Sequence, residues 1–183
     1  TAPHGTSLAV GTGWPNGVAD DVVDPFTAVL DPTALGPRVA VVDSDGTAFA
    51  SGVVLSLLTA DCELTVVTPY ETLFAHVGSG YDRQLLLENL GTQPSFRRRV
   101  QHVVEARTPH GLALIDTLTG ERRVLDGIDT VVVIEPRASV RPVGMPAPTH
   151  VIGDALTPRN LDAALFDAVE LAYAAAGYDV SLR

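Results

Sequence analysis

Apolar and polar positions change period along this chain, and the changes mark its elements. Arg38-Val39-Ala40-Val41-Val42-Asp43 is a short, nearly continuous apolar run, the pattern of a strand buried on both faces. Over 47–59, Phe49, Val53, Val54, Leu57 and Leu58 recur at helical spacing. Glu63-Leu64-Thr65-Val66-Val67-Thr68 is a second β-rich run, which Pro69 stops. Strand, helix and strand in close succession make a βαβ unit, so these two strands are expected to be parallel.

Tyr81–Leu90 is the next predicted helix, closed by Gly91. The period then shortens. Val100–Ala106, Leu112–Thr117 and Arg122–Leu125 are separated by His110-Gly111 and Thr119-Gly120-Glu121, which predicts a three-stranded antiparallel meander. Asp129–Ile134 returns as a buried strand, and Arg137–Pro148 is a proline-rich link. Ahead of the βαβ unit, Ser7–Val10 reads as a strand running into the glycine-rich Gly11–Gly17. Asp20–Pro37 reads as an acidic connection with a short helix at Pro25–Leu30. At the other end, His150–Asp154 reads as a strand and its corner. A helix over Leu161–Gly177 follows, with Ala164, Leu165, Ala168, Leu171 and Ala172 facing inward.

Composition narrows the class. Hydrophobic residues make up 46% of 183, enough for the core of one domain, or of one and a small lobe. Only 5% are aromatic, so Val-rich strands and Ala/Leu-rich helices carry that core, an α/β signature. A net charge of −10 repels phosphate backbones and argues against nucleic acid as a partner. Lysine is absent and every basic residue is arginine, which with the Ala, Val, Gly and Pro content suggests a GC-rich bacterial genome. Cys62 is the single cysteine. That excludes an internal disulfide and a cysteine-built metal site, and fits a reducing cytoplasm. Cys62 itself is either a strand-entrance residue or a reactive thiol. No apolar run approaches the ~20 residues a membrane helix needs, and no leader is seen. With Thr1 in place of methionine, a processed, trimmed or excised chain is expected.

Few residues offer chemistry of their own. His4, His76, His102, His110 and His150 lack metal-ligand spacing, and no serine sits in a nucleophile-elbow context. Asp43 and Asp45 are either a metal pair or a turn and cap in a degenerate loop. Arg97-Arg98-Arg99 is a solvated strand edge, a subunit contact or a phosphate site. No catalytic residue and no metal ligand is assigned. The candidate cofactor-binding residues are Gly11, Thr12, Gly13, Gly153, Asp154, Pro158 and Arg159. Gly11 and Gly13 would let the chain pass a cofactor, or form a plain turn. In Val151-Ile152-Gly153-Asp154-Ala155, glycine permits close backbone approach at a strand end. Asp154 would accept hydrogen bonds from ribityl or ribose hydroxyls, or cap the last helix. Arg159 would contact a diphosphate, anchor a domain interface, or form a surface ion pair.

The stretch Val151–Asp167, V-I-G-D-A-L-T-P-R-N-L-D-A-A-L-F-D, resembles the I-G-D-A-x-x-P-R-x-x-x-D-A-x-x-x-G segment of the trimethylamine dehydrogenase and 2,4-dienoyl-CoA reductase group. These are old-yellow-enzyme-like flavoproteins. Gly153, Asp154, Pro158 and Arg159 match in place and Asp162-Ala163 matches one residue early, whereas Asp167 and Ala168 stand where a small residue and glycine are usual. Leu8–Trp14 is similar to the family's A-T-G-(S/A)-x-W crossing strand, and Val39–Asp45 with Glu63–Pro69 to its second Rossmann unit. The resemblance implies a two-dinucleotide-binding-domain flavoprotein type, a Rossmann-like parallel sheet with an inserted three-stranded antiparallel β-meander. It implies three parts: 1–37, a partial first nucleotide domain strand and linker; 38–136, a second Rossmann-like domain with meander; and 137–183, the return to the first domain.

It also implies a role. The family's FMN barrel, its iron–sulfur cluster and its first glycine fingerprint have no counterpart here. The expectation is therefore an accessory subunit or C-terminal domain that binds or scaffolds FAD or ADP. A larger FMN-barrel partner would carry the chemistry in a hetero-oligomer, away from membranes. NAD(P) is disfavoured. Where G-x-G-x-x-G would lie, the chain has Asp43, Asp45 and Ala48. A carboxylate ~4 Å from a phosphate charge is repelled by about 4 kcal/mol at an effective dielectric near 20. A stand-alone FAD- or NAD(P)-dependent reductase and a structural module with degenerate sites remain the alternatives.

Overall fold

The computed structural model describes residues 22–78, 81–139, 150–159 and 161–178. The chain divides into two compact units, with the boundary between Pro136 and Arg137.

The larger unit is built on a parallel sheet. Strand β1 (Arg38–Asp43) pairs in parallel with β2 (Glu63–Val67) on one side and with β7 (Thr130–Ile134) on the other. Strand β3 (Phe96–Arg99) adds in parallel to β2, giving the order β3-β2-β1-β7. Helix α2 (Ala48–Leu57) links β1 to β2, and α3 (Tyr81–Thr92) lies between β2 and β3. The βαβ unit is thus present with parallel strands. Strands β4 (His102–Thr108), β5 (Gly111–Asp116) and β6 (Arg122–Asp126) form a separate antiparallel sheet, the expected meander. The fold class is α/β, a Rossmann-like sheet with an antiparallel insertion.

The sheet is apolar on both faces because both are covered. Val39, Val41, Leu64, Val66, Val132 and Ile134 pack with Ala50, Val53, Val54 and Leu57 of α2. The alternate positions Ala40, Val67 and Val131 pack with Leu112 and Leu114 of the meander. Successive strand side chains point to opposite faces, so one V-A-V-V run serves two cores. Gly111 is required by the meander: a Cβ there would lie 1.9 Å from the Leu125 carbonyl oxygen.

Three expectations need correction or extension. Helix α3 runs through Gly91 to Thr92 rather than closing at Gly91; the Thr92 hydroxyl donates to the Asn89 carbonyl within the last turn. The arginine run is the edge strand β3 of the parallel sheet, with Arg97, Arg98 and Arg99 all exposed. The connection ahead of β1 is also more than a linker. Helix α1 (Pro25–Leu30) is capped by Asp24, which accepts from the N–H groups of Phe26 and Thr27 at 3.0 Å. Ala28 of α1 is fully buried in the α2-side core, and Val23 bridges in parallel to Val132.

In the smaller unit, Gly153–Ala155 forms a single 3₁₀ turn, and helix α4 (Leu161–Ala175) follows. The predicted strand over His150–Ile152 does not form. A strand needs a hydrogen-bonded neighbour, and among the described residues none pairs with this segment; the predicted strand Ser7–Val10 lies outside the described residues. The predicted inward face of α4 is not buried either: Ala164 and Leu171 are half-buried, and Leu165, Ala168 and Ala172 are exposed. Among the described residues no helix is long and apolar enough to cross a membrane.

Candidate functional site

Two corners of this fold could meet a nucleotide: the loop that follows β1, and the turn at Gly153. Each was built up from its backbone donors.

At the first, β1 ends at Asp43 and α2 begins at Ala48, so the loop Ser44–Thr47 lies where a diphosphate would meet backbone N–H groups. The Asp43 carboxylate is already there. Its Oδ1 accepts from the N–H of Gly46 at 2.7 Å and of Asp45 at 3.0 Å. Thr47 caps α2 by accepting from the Phe49 N–H, and its hydroxyl donates to the Asp45 carboxylate. The loop is then sealed from outside. The Tyr70 hydroxyl donates to the Ser44 carbonyl at 2.8 Å, and the His76 Nδ1–H donates to the Asp45 carbonyl at 2.7 Å. The His76 backbone N–H donates to the Gly46 carbonyl at 2.8 Å. The two rings pack edge to face with centroids 4.8 Å apart. Leu73 and Phe74 hold this segment in place by plugging the α2-side core.

The closure has an electrostatic consequence. Asp43 is fully buried, its Oδ2 has no hydrogen-bond partner, and burial pushes its carboxyl up to about 6 despite the two N–H donors. The Tyr70 hydroxyl is also pushed up, first by burial and then by the charges of Asp43 and Asp45. Asp43 therefore holds the turn, while the cap of α2 is Thr47, whose hydroxyl Asp45 accepts. Among the described residues no group of three or more His, Cys, Asp or Glu could hold a metal ion.

The second corner is held in the same manner. Gly153 has φ +61, and its N–H donates to Asp167 Oδ2 of α4 at 2.9 Å. The Arg159 guanidinium pairs with that same oxygen. Asp154 Oδ2 pairs with Arg137 at 2.9 Å, and its Oδ1 accepts from the Arg159 N–H at 3.2 Å. Arg137 also donates to the Arg159 carbonyl. Asp154 does not cap α4; it ties the turn to Arg137 and Arg159. Arg159 forms an ion pair, but with its own helix neighbour Asp167. Pro158 is half-buried and makes no side-chain hydrogen bond. Gly153, Asp154 and Arg159 thus come together as expected, but not at a strand tip. Gly11, Thr12 and Gly13 lie outside the described residues.

The sequence pointed away from four residues that matter here. Tyr70 and His76 are separated from the loop by β2 and carry no motif. Arg137 lies in the predicted proline-rich link, and Asp167 stands only as a departure from the family's segment.

The fold matches part of three solved structures. Histamine dehydrogenase from Rhizobium sp. 4-9 superposes with a TM-score of 0.64 over 89% of this chain and 27% of its own, at 17% identity. The 6-hydroxypseudooxynicotine amine oxidase of Pseudomonas geniculata N1 gives 0.64 over 80% of this chain and 23% of its own, at 21% identity. A 2-naphthoyl-CoA reductase gives 0.59 over 77% and 22%, at 18% identity. The fold likeness agrees with the resemblance to the trimethylamine dehydrogenase and old-yellow-enzyme-like group read from the sequence. At these identities the likeness is one of fold, and the chain spans only 22–27% of each relative's length. No protein-family model matches the sequence, and no curated protein matches it.

Proposed function

We propose that this chain is the nucleotide-domain portion of an old-yellow-enzyme-like flavin oxidoreductase and acts as a scaffold. Hydride or electron transfer at FMN, and any iron–sulfur cluster, would belong to a barrel-type partner or region in the same assembly. With one cysteine, a reducing cytoplasm is the setting assigned to it.

The observation that carries this reading is the Asp43 carboxylate on the N–H groups of Asp45 and Gly46. A bound diphosphate needs those donors and must face that carboxylate, so the residues present do not fit NAD(P). The Gly153 corner argues likewise against FAD or ADP. Its N–H and its guanidinium are committed to Asp167, and the Asp154 carboxylate to Arg137. No catalytic step is assigned to this chain.

Titrating the purified chain with NADH, NADPH, FAD and ADP tests the reading. Silence with all four is expected. Micromolar binding of any of them would overturn the scaffold role and favour a stand-alone reductase. Co-purification from the native host tests the assembly, with a barrel-type flavoprotein as the expected companion.

A further inference from the structure

The nucleotide loop belongs with α2 on one face of the parallel sheet, but the other face carries a feature of its own. A cavity of about 340 Å³ lies where the meander crosses the C-terminal ends of β1 and β7. That is within the size range of small-molecule pockets, roughly 300–1,000 Å³. Val42, Val104, Val131 and Val133 wall it. Three side chains of a different kind also line it: His102, Arg107 and Glu135.

The imidazole is held in one orientation. His102 starts β4 by donating its backbone N–H to the Thr68 carbonyl at 2.9 Å. Its ring Nδ1 lies 2.6 Å from the Val100 carbonyl, which can only accept, so Nδ1 carries the proton. Nε2 is thereby left as an acceptor in the neutral ring, and it is buried with no partner. His102 as a whole is 9% exposed. Glu135, one residue past β7, likewise holds a buried Oε2 with no partner. Buried acceptors left unsatisfied cost free energy, which a donor reaching them would recover.

We propose that this cavity binds a small neutral amide with an apolar body. Two N–H donors serve His102 Nε2 and the Glu135 carboxylate, and the amide carbonyl faces the Arg107 guanidinium. The lining disfavours a charged ligand. A carboxylate facing Arg107 still meets Glu135 and offers no donor to it or to His102 Nε2, and an ammonium facing Glu135 still meets Arg107. An ester or ether offers no donor to either acceptor. The proposal does not depend on the scaffold reading, although Ser44 of the loop after β1 also lines the cavity.

Benzamide is a suitable probe, titrated calorimetrically into the 183-residue chain, with the His102 ring followed by NMR. Saturable one-to-one binding with a shift of the His102 ring signals is expected. Methyl benzoate, which lacks the N–H donors, and benzoate should each bind at least about tenfold more weakly. Glu135→Gln and His102→Phe should each weaken benzamide by about tenfold. Val104→Trp fills the space while leaving both polar residues in the chain, and should abolish binding in a chain that circular dichroism shows to be folded. No saturation with benzamide, equal binding of methyl benzoate, or affinity unmoved in Glu135→Gln and Val104→Trp would each overturn the proposal.

Discussion

The carboxylate of Asp43 accepts the backbone N–H of Gly46 at 2.7 Å. That bond puts a side chain of the protein where a Rossmann loop would otherwise receive a phosphate oxygen. A carboxylate also takes the N–H of Gly153, that of Asp167. The loop after β1 keeps the strand-to-helix backbone of a nucleotide fold, and at both corners the N–H donors are consumed internally.

Asp43 should make folding depend on pH. Its carboxyl is raised from 3.8 to about 6 in the folded chain, chiefly by burial. Between about pH 4 and 6 the folded state keeps a proton that the unfolded chain has released. Stability therefore falls as pH rises through that window, by on the order of 3 kcal/mol. Asp43→Asn removes this contribution. Urea unfolding from pH 4 to 7 should show the variant gaining on the wild type as pH rises, and a pH-independent difference would refute the assignment.

Gly46 should not tolerate a side chain. Its φ is +66, and a Cβ would lie 2.9 Å from Tyr70 Cε2 and 3.3 Å from His76 Nδ1. Gly46→Ala is expected to cost roughly 1–3 kcal/mol, through backbone strain and displacement of the ring pair. Tyr70→Phe, which only releases the Ser44 carbonyl, should cost about 1 kcal/mol. Chemical denaturation of both variants checks the order.

Asp167 should control the order of the second corner. In Asp167→Ala, the Gly153 N–H and the Arg159 guanidinium lose their shared acceptor. Amide exchange at Gly153 should speed up by about tenfold or more. β1 belongs to the other compact unit and should exchange as before. Unchanged protection at Gly153 would show that the carboxylate does not hold the turn.

Helix α4 and helix α2 should respond oppositely to substitution. Leu165 and Val169 of α4 are 56% and 51% exposed, whereas Leu57 of α2 is fully buried. Leu57→Ala is expected to cost about 2–5 kcal/mol. Leu165→Gln and Val169→Gln should each stay within about 0.5 kcal/mol in the isolated chain. In the proposed assembly the α4 variants should instead reduce co-purification with the flavoprotein partner. A large stability loss from the α4 variants alone would mean that the helix is packed within this chain.

Much of the larger unit was legible in the residues. The V-A-V-V and L-T-V-V runs, the helical spacing between them and the glycine turns of the meander fixed the parallel pair and the antiparallel insertion. These are local signals. Each follows from which side chains a period of two or of 3.6 brings to one face. The edge strand β3 was harder, because three exposed arginines hide a strand whose only buried side chain is Phe96.

Sequence alone also placed aspartates at 43 and 45, where the family resemblance implies glycines, and a Gly-Asp…Pro-Arg segment near the end. What those carboxylates do was left to the tertiary structure. Asp43 turns onto its own loop, Tyr70 and His76 close over it from beyond β2, and Asp167 reaches across 14 residues to Gly153. A carboxylate's partner is whichever donor the folded chain brings within about 3 Å, and that distance is not written in the spacing of residues along the chain.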